Sequence, residues 1–167
     1  IYDEGCRVYA AGLYAEAEAL FGKCLEMLPD NPDILNALGS AREALGKLDQ
    51  AAADLEKACG LKPDNASFHY NFANLLRRRG DCEQAELQYL ESIRCNPAQA
   101  EAYHGLGSLF LESGRFDAAE SCLQKAVELA PGFILALHDL GQLQQIQGVH
   151  SQAEGLFRRC LELDSRF

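Results

Sequence analysis

Apolar side chains along this chain recur three, four and seven positions apart, not on alternate residues. Leu35 and Leu38 stand on such a row with Arg42, and Leu55 and Ala58 begin the next. That spacing is the period of an α-helix and excludes a half-buried strand. A glycine separates the two rows, Gly46 in this stretch, and glycine adopts the left-handed C′ conformation that ends a helix without a Cβ penalty. Asn31 followed by Pro32 predicts the next start, with the amide as N-cap and the proline at N1. Asp81, just after Gly80, suits an N-cap, and Asp49 and Asp117 suit first-turn positions near a helix N-terminus. The elements predicted are pairs of short helices, each pair hinged at a glycine.

The pairs repeat. Pro29, Pro63, Pro97 and Pro131 are 34 residues apart, and Gly12, Gly46, Gly80, Gly114 and Gly148 keep the same step. Ala17, Ala51, Ala85, Ala119 and Ala153 do so too. Three residue types on one period identify an internal repeat. With each of those prolines at position 32, the copies run 1–31 (lacking its first three positions), 32–65, 66–99, 100–133 and 134–167, a single array over 1–167. The recurring alanine reads as a close-contact position, where a larger side chain would separate paired helices.

In the fourth copy Tyr103, Leu106, Gly107, Phe110, Ala119, Leu123, Ala126 and Pro131 occupy the pattern W-x2-L-G-x2-Y…A-x3-F-x2-A…P with tolerated swaps. On those residues the chain resembles the tetratricopeptide repeat family over essentially its whole length. The resemblance implies an all-α, right-handed superhelical solenoid of five helix-turn-helix units, about ten antiparallel helices. It also implies that positions 2, 5, 6, 9, 12 and 13 of each copy line a concave surface. An isolated copy cannot bury its apolar face, so stability comes from stacking neighbours. Both ends read as cuts through a longer array. Leu140, Leu143, Leu156, Phe157 and Leu161 in the fifth copy predict an apolar face open to self-association.

Composition narrows the function classes. Of 167 residues, 48% are apolar and 24% charged, with 14 Gly and 5 Pro, which excludes disordered and collagen-like chains. No apolar run approaches the ~20 residues of a membrane span, and no secretory signal is visible at the start. The net charge of −10 disfavours nucleic acid and anionic membranes as partners. Seven cysteines, an odd number without C-x-x-C, predict reduced and mostly buried thiols in a cytoplasmic protein.

Candidate chemistry is sparse. Gly105-Leu106-Gly107 begins a G-x-G pattern but lies inside a helix, and no phosphate-loop, zinc-protease or serine-hydrolase motif occurs. No catalytic residue, cofactor or metal is expected. His69 and His150 read as structural. Position 5 runs Tyr2, Asn36, Tyr70, His104, His138, and position 6 runs Asp3, Ala37, Asn71, Gly105, Asp139. The third copy is the one electrically neutral copy and holds Arg77-Arg78-Arg79. The expected peptide-binding residues are Tyr70, Asn71, Asn74, Arg77, Arg78, His104, Ser108, His138 and Gln142. Amides there would grip a bound backbone, and an arginine would hold an acidic residue of the partner.

The resemblance thus implies a non-catalytic scaffold that binds a peptide or helix of a partner protein. Its competitor is the substrate-recruiting arm of a larger enzyme, for example an O-linked glycosyltransferase. Such transferases repeat asparagine at position 6, whereas this chain has it there only at Asn71. The carboxylate clamp by which some relatives hold chaperone tails is likewise matched only by Asn71.

Overall fold

The computed structural model describes residues 1–164, and among them ten α-helices account for the regular structure. They are α1 (Tyr2–Ala10), α2 (Tyr14–Met27), α3 (Pro32–Ala44), α4 (Leu48–Leu61), α5 (Ala66–Arg79), α6 (Cys82–Cys95), α7 (Ala100–Glu112), α8 (Phe116–Leu129), α9 (Ile134–Ile146) and α10 (His150–Asp164). They group into two compact units, one of Ile1–Cys95 and one beginning at Asn96. Within the first unit each helix packs on the next, and α3 also touches α1 and α5. The second is built alike, with α9 against α7, α8 and α10.

Local sequence sets the helix ends. The Asn31 side chain accepts hydrogen bonds from the backbone N–H of Asp33 (3.0 Å) and Ile34 (3.1 Å), with Pro32 at the first turn. Asn65 caps α5 in the same way, through Ser67 and Phe68. At Gly46, φ is +76°, and the Lys47 N–H reaches back to the Arg42 carbonyl at 2.9 Å. The other four hinge glycines share that left-handed conformation. Asp81 stands just before α6, its carboxylate 3.2 Å from Arg79 Nε.

Packing within each pair depends on missing atoms. Ala17, Ala51, Ala85 and Ala119 have no exposed surface, as close-contact positions should. A second small position lies on the first helix of the pair. A Cβ on Gly39 would stand 2.7 Å from Leu55 Cγ, and one on Gly107 would stand 2.8 Å from Leu123 Cγ.

Two expectations need correction. Only Cys24 and Cys59 are buried, while Cys6 and Cys82 are exposed and Cys95, Cys122 and Cys160 lie between. The cysteines do not share one register, so most miss the inward row. Leu140 and Leu143 were expected on an open face but are buried, because α9 packs on three other helices. Of that set Leu161 is exposed, at 70%, and Leu156 and Phe157 are half-buried.

Candidate peptide-binding site

In the first unit, α3 and α5 present their position-5 and position-6 amides to each other. Asn71 Nδ2 donates to Asn36 Oδ1 at 2.9 Å. The pair borders a cavity of about 330 Å³ whose lining includes Tyr9, Phe21, Ala37 and Ser40. Ser40 Oγ donates back to the Asn36 carbonyl (3.0 Å), so its hydroxyl is held along α3. Cys6 completes the rim.

The other expected residues of this unit are arranged differently. Asn74 accepts a 2.6 Å hydrogen bond from the Tyr89 hydroxyl, and Tyr70 leans on the same ring at 6.3 Å between centroids. Arg78 Nη1 lies 2.9 Å from Glu43 Oε1, and Arg79 contacts Asp81 and, at 3.7 Å, Asp49. Arg77 is half-buried on α5. Arg78 and Arg79 of the positive triplet anticipated as an anchor for an acidic residue therefore already meet carboxylates of their own unit. Those partners were hidden from a copy-by-copy reading because they come from the preceding copy or the following turn.

In the second unit Asp139 is the hub. His104 Nε2 lies 2.9 Å from Asp139 Oδ2, Ser108 Oγ donates to the same oxygen at 2.8 Å, and His138 Nδ1 is 3.4 Å from Oδ1. Burial pushes the Asp139 carboxyl up, but hydrogen bonds from His104 and Ser108 outweigh it and leave it below its ordinary value. The His104 ring stands edge-on to Phe133 at 4.9 Å. Gln142 is exposed beside this cluster in sequence but is not part of it.

Serine, histidine and aspartate together invite comparison with a hydrolase triad. In a triad the imidazole stands between hydroxyl and carboxylate and takes the hydroxyl proton. Here His104 Nε2 and Ser108 Oγ both lie against the same Asp139 oxygen and are 3.3 Å from each other, so the imidazole is not interposed between hydroxyl and carboxylate. The arrangement locks α7 to α9. Among the described residues no three His, Cys, Asp or Glu side chains converge as metal ligands. His69 is structural: it is buried, with Nε2 2.9 Å from the Pro63 carbonyl and Nδ1 2.7 Å from the Gln88 amide.

The structure thus joins Asn71 to a cavity, and His104, Ser108 and His138 to one carboxylate. The cavity residues Cys6, Tyr9, Phe21, Asn36, Ala37 and Ser40 were not among the expected set. The signal for three of them was available. Asn36, Ala37 and Ser40 occupy the same repeat positions as Tyr70, Asn71 and Asn74, one copy earlier. Among the described residues no helix is long and apolar enough to cross a membrane.

The tetratricopeptide repeat profile matches residues 2–66 and 70–132. Among solved structures, the chain is similar to a crystal structure of MamA at 25% identity and TM-score 0.83, covering 97% of this chain and 95% of that one. It is similar to TTC0263, a thermophilic repeat protein of this type in Thermus thermophilus, at 23% identity and TM-score 0.82, covering 97% and 89%. The PilF structure of Pseudomonas aeruginosa superposes with TM-score 0.90 at 18% identity, over 96% of this chain and 73% of that one, and so speaks to the fold alone. No curated protein matches the chain.

Proposed function

This chain belongs to the tetratricopeptide repeat family, and on that premise we propose that it is a non-catalytic scaffold whose first unit binds an extended peptide of a partner protein. The family fold is one suited to protein–protein interaction. The observation that carries the finer reading is the Asn36–Asn71 pair at the mouth of the cavity. Because Asn71 Nδ2 satisfies Asn36 Oδ1, the pair keeps an amide N–H donor on Asn36 and a carbonyl acceptor on Asn71. Those are the complements of one peptide unit's C=O and N–H. The apolar cavity wall of Phe21, Tyr9 and Ala37 takes a side chain of that peptide. His138 and Gln142, both exposed on α9, offer a separate polar surface on the second unit for a further stretch of partner, while His104 and Ser108 stay engaged with Asp139.

The test is selection of peptides from a displayed random library on this chain, followed by titration of the selected peptides. Neutral hydrogen bonds are worth about 0.5–1.5 kcal/mol each, so Asn71→Ala should weaken binding roughly three- to tenfold. Ala37→Phe, which fills the cavity, should weaken it further, and Lys57→Ala on the exposed face of α4 should do nothing. Equal losses in all three, or none, would defeat the reading.

A further inference from the structure

A second cavity of about 460 Å³ lies in the first unit between α4, α5 and α6, and it shares no residue with the first. Its floor is apolar, formed by Ala52, Phe72 and Leu76. At Gly60 the wall is absent, since an added Cβ would meet nothing within 4 Å. Cys59 adds no charge there, because burial pushes its thiol up to about 11.

The rim is where this crevice differs from an ordinary surface depression. Glu56 is exposed at its edge and has no ion-pair or hydrogen-bond partner among the described residues. Gln84, on the α6 side, is likewise exposed and unbonded. The one cation of the lining, Arg79, faces two carboxylates, Asp49 at 3.7 Å and Asp81 at 3.2 Å, so its charge is already more than matched. With Arg79 matched by Asp49 and Asp81 outside the lining, the charge left unmatched above the apolar floor is that of Glu56, which disfavours a second copy of this chain, whose own charge is −10. It favours a ligand that brings positive charge beside an apolar group.

We propose that this crevice is a second docking site, independent of the amide-lined cavity, for a basic amphipathic segment of a partner protein. An apolar side chain of the segment rests on Ala52, Phe72 and Leu76, and an adjacent lysine or arginine meets Glu56. The Gln84 amide supplies a donor and an acceptor for the segment's backbone.

The experiment pans a displayed library of random peptides on the Asn71→Ala, Ala37→Phe chain, in which the first cavity is closed. Selected peptides are then synthesised with a fluorophore and titrated by polarisation. The expected peptides carry Lys or Arg next to a large apolar residue. They should lose tenfold or more in affinity on Glu56→Lys and on Gly60→Leu. Gly60→Leu adds a side chain into open space, so it blocks the crevice without a clash that would unfold the helix. Restoring Asn71 and Ala37 should leave these affinities unchanged. The proposal is overturned if no basic-apolar peptide is enriched, or if enriched peptides bind the Gly60→Leu chain undiminished. It is also overturned if lysine-only peptides bind equally well, which would mean attraction to the acidic surface at large, or if sedimentation shows a second copy occupying the crevice. Failure of the amide-lined site would appear instead as indifference to Asn71→Ala in the parental chain.

Discussion

At Gly39 the helices of one pair approach until a single methyl group no longer fits, with Leu55 Cγ 2.7 Å from where it would stand. Leu55 is itself fully buried and cannot swing aside. Gly39→Ala should therefore destabilise the chain by about 1–3 kcal/mol, the usual cost of overpacking. Gly60→Ala, with open space around its Cβ, should be neutral or stabilise by up to about 1 kcal/mol through helix propensity. Urea titration of the two variants separates steric from conformational causes. Charge sets a different cost at Arg42, whose guanidinium bridges Glu18 (3.3 Å) and the buried Asp54 (2.6 Å). Burial pushes the Asp54 carboxyl up despite the arginine, whereas a hydrogen bond from Lys47 chiefly holds Glu18 down. Removing the guanidinium leaves Asp54 buried without its partner, so Arg42→Ala should cost roughly 2–4 kcal/mol. Adding Asp54→Asn should recover part of that loss, and additive losses would show the pair to be uncoupled. The Asp139 carboxyl is lowered in the folded chain, so its stabilisation is complete above its unfolded value of about 4 and fades as pH falls through the folded one. The stability gap between the parental chain and Asp139→Asn should accordingly be constant near neutrality and shrink below about pH 4, as read from denaturation at a series of pH values.

Helix boundaries depend on a few local side chains, which is why they could be read from the sequence. Asn31 and Pro32 start α3 where the capping argument places the start, and the five hinge glycines all take positive φ. Asn31→Ala and Asn65→Ala should each cost about 1 kcal/mol, because each leaves two first-turn N–H groups without their acceptor. Gln99 and Phe133 at the corresponding places make no side-chain cap bond to α7 and α9, so Phe133→Ala should act through packing on His104 and not through helix initiation. Thermal melts of the three alanine variants test the distinction, since only the asparagine pair should be rescued by aspartate or serine. Contacts between helices were less legible, and the reason is geometric. Equivalent positions in successive copies stand about 10 Å apart where helix axes pack at that distance, out of reach of each other. The side chains meet on a diagonal instead: Asn36 with Asn71, Glu43 with Arg78 and His104 with Asp139, each 35 residues apart. One residue more than the repeat joins position 5 to position 6, or 12 to 13, of the following copy. Reading each column of the repeat separately hides those pairs, and with them both the amide pair at the cavity and the carboxylate facing Arg78.

Burial is distributed unevenly among the helices of the described chain. The interior helices are anchored on several sides: α3 buries Ile34, Leu35, Leu38, Gly39 and Ala41, and α7 buries eight residues from Ala100 to Phe110. The outermost helices of the described chain are not. Gly5 alone is buried on α1, and Ala153 alone on α10, where Leu161 is 70% exposed. Nearest-neighbour stacking makes the stability of a repeat chain a sum over interfaces, so elements that bury little against their neighbours open at lower free energy than those that bury much. Amide hydrogen exchange should therefore show the fastest exchange in α1 and α10 and the slowest in α3, α4 and α5 of the first unit and α7 of the second. The profile expected from burial is thus graded and not flat. A peptide that occupies the amide-lined cavity touches α1, α2, α3 and α5 together, and should slow exchange most in α1, the least protected of the four. Uniform protection along the chain, or slowing confined to α3 and α5 on peptide binding, would show that α1 is already held by something other than its contacts in the first unit.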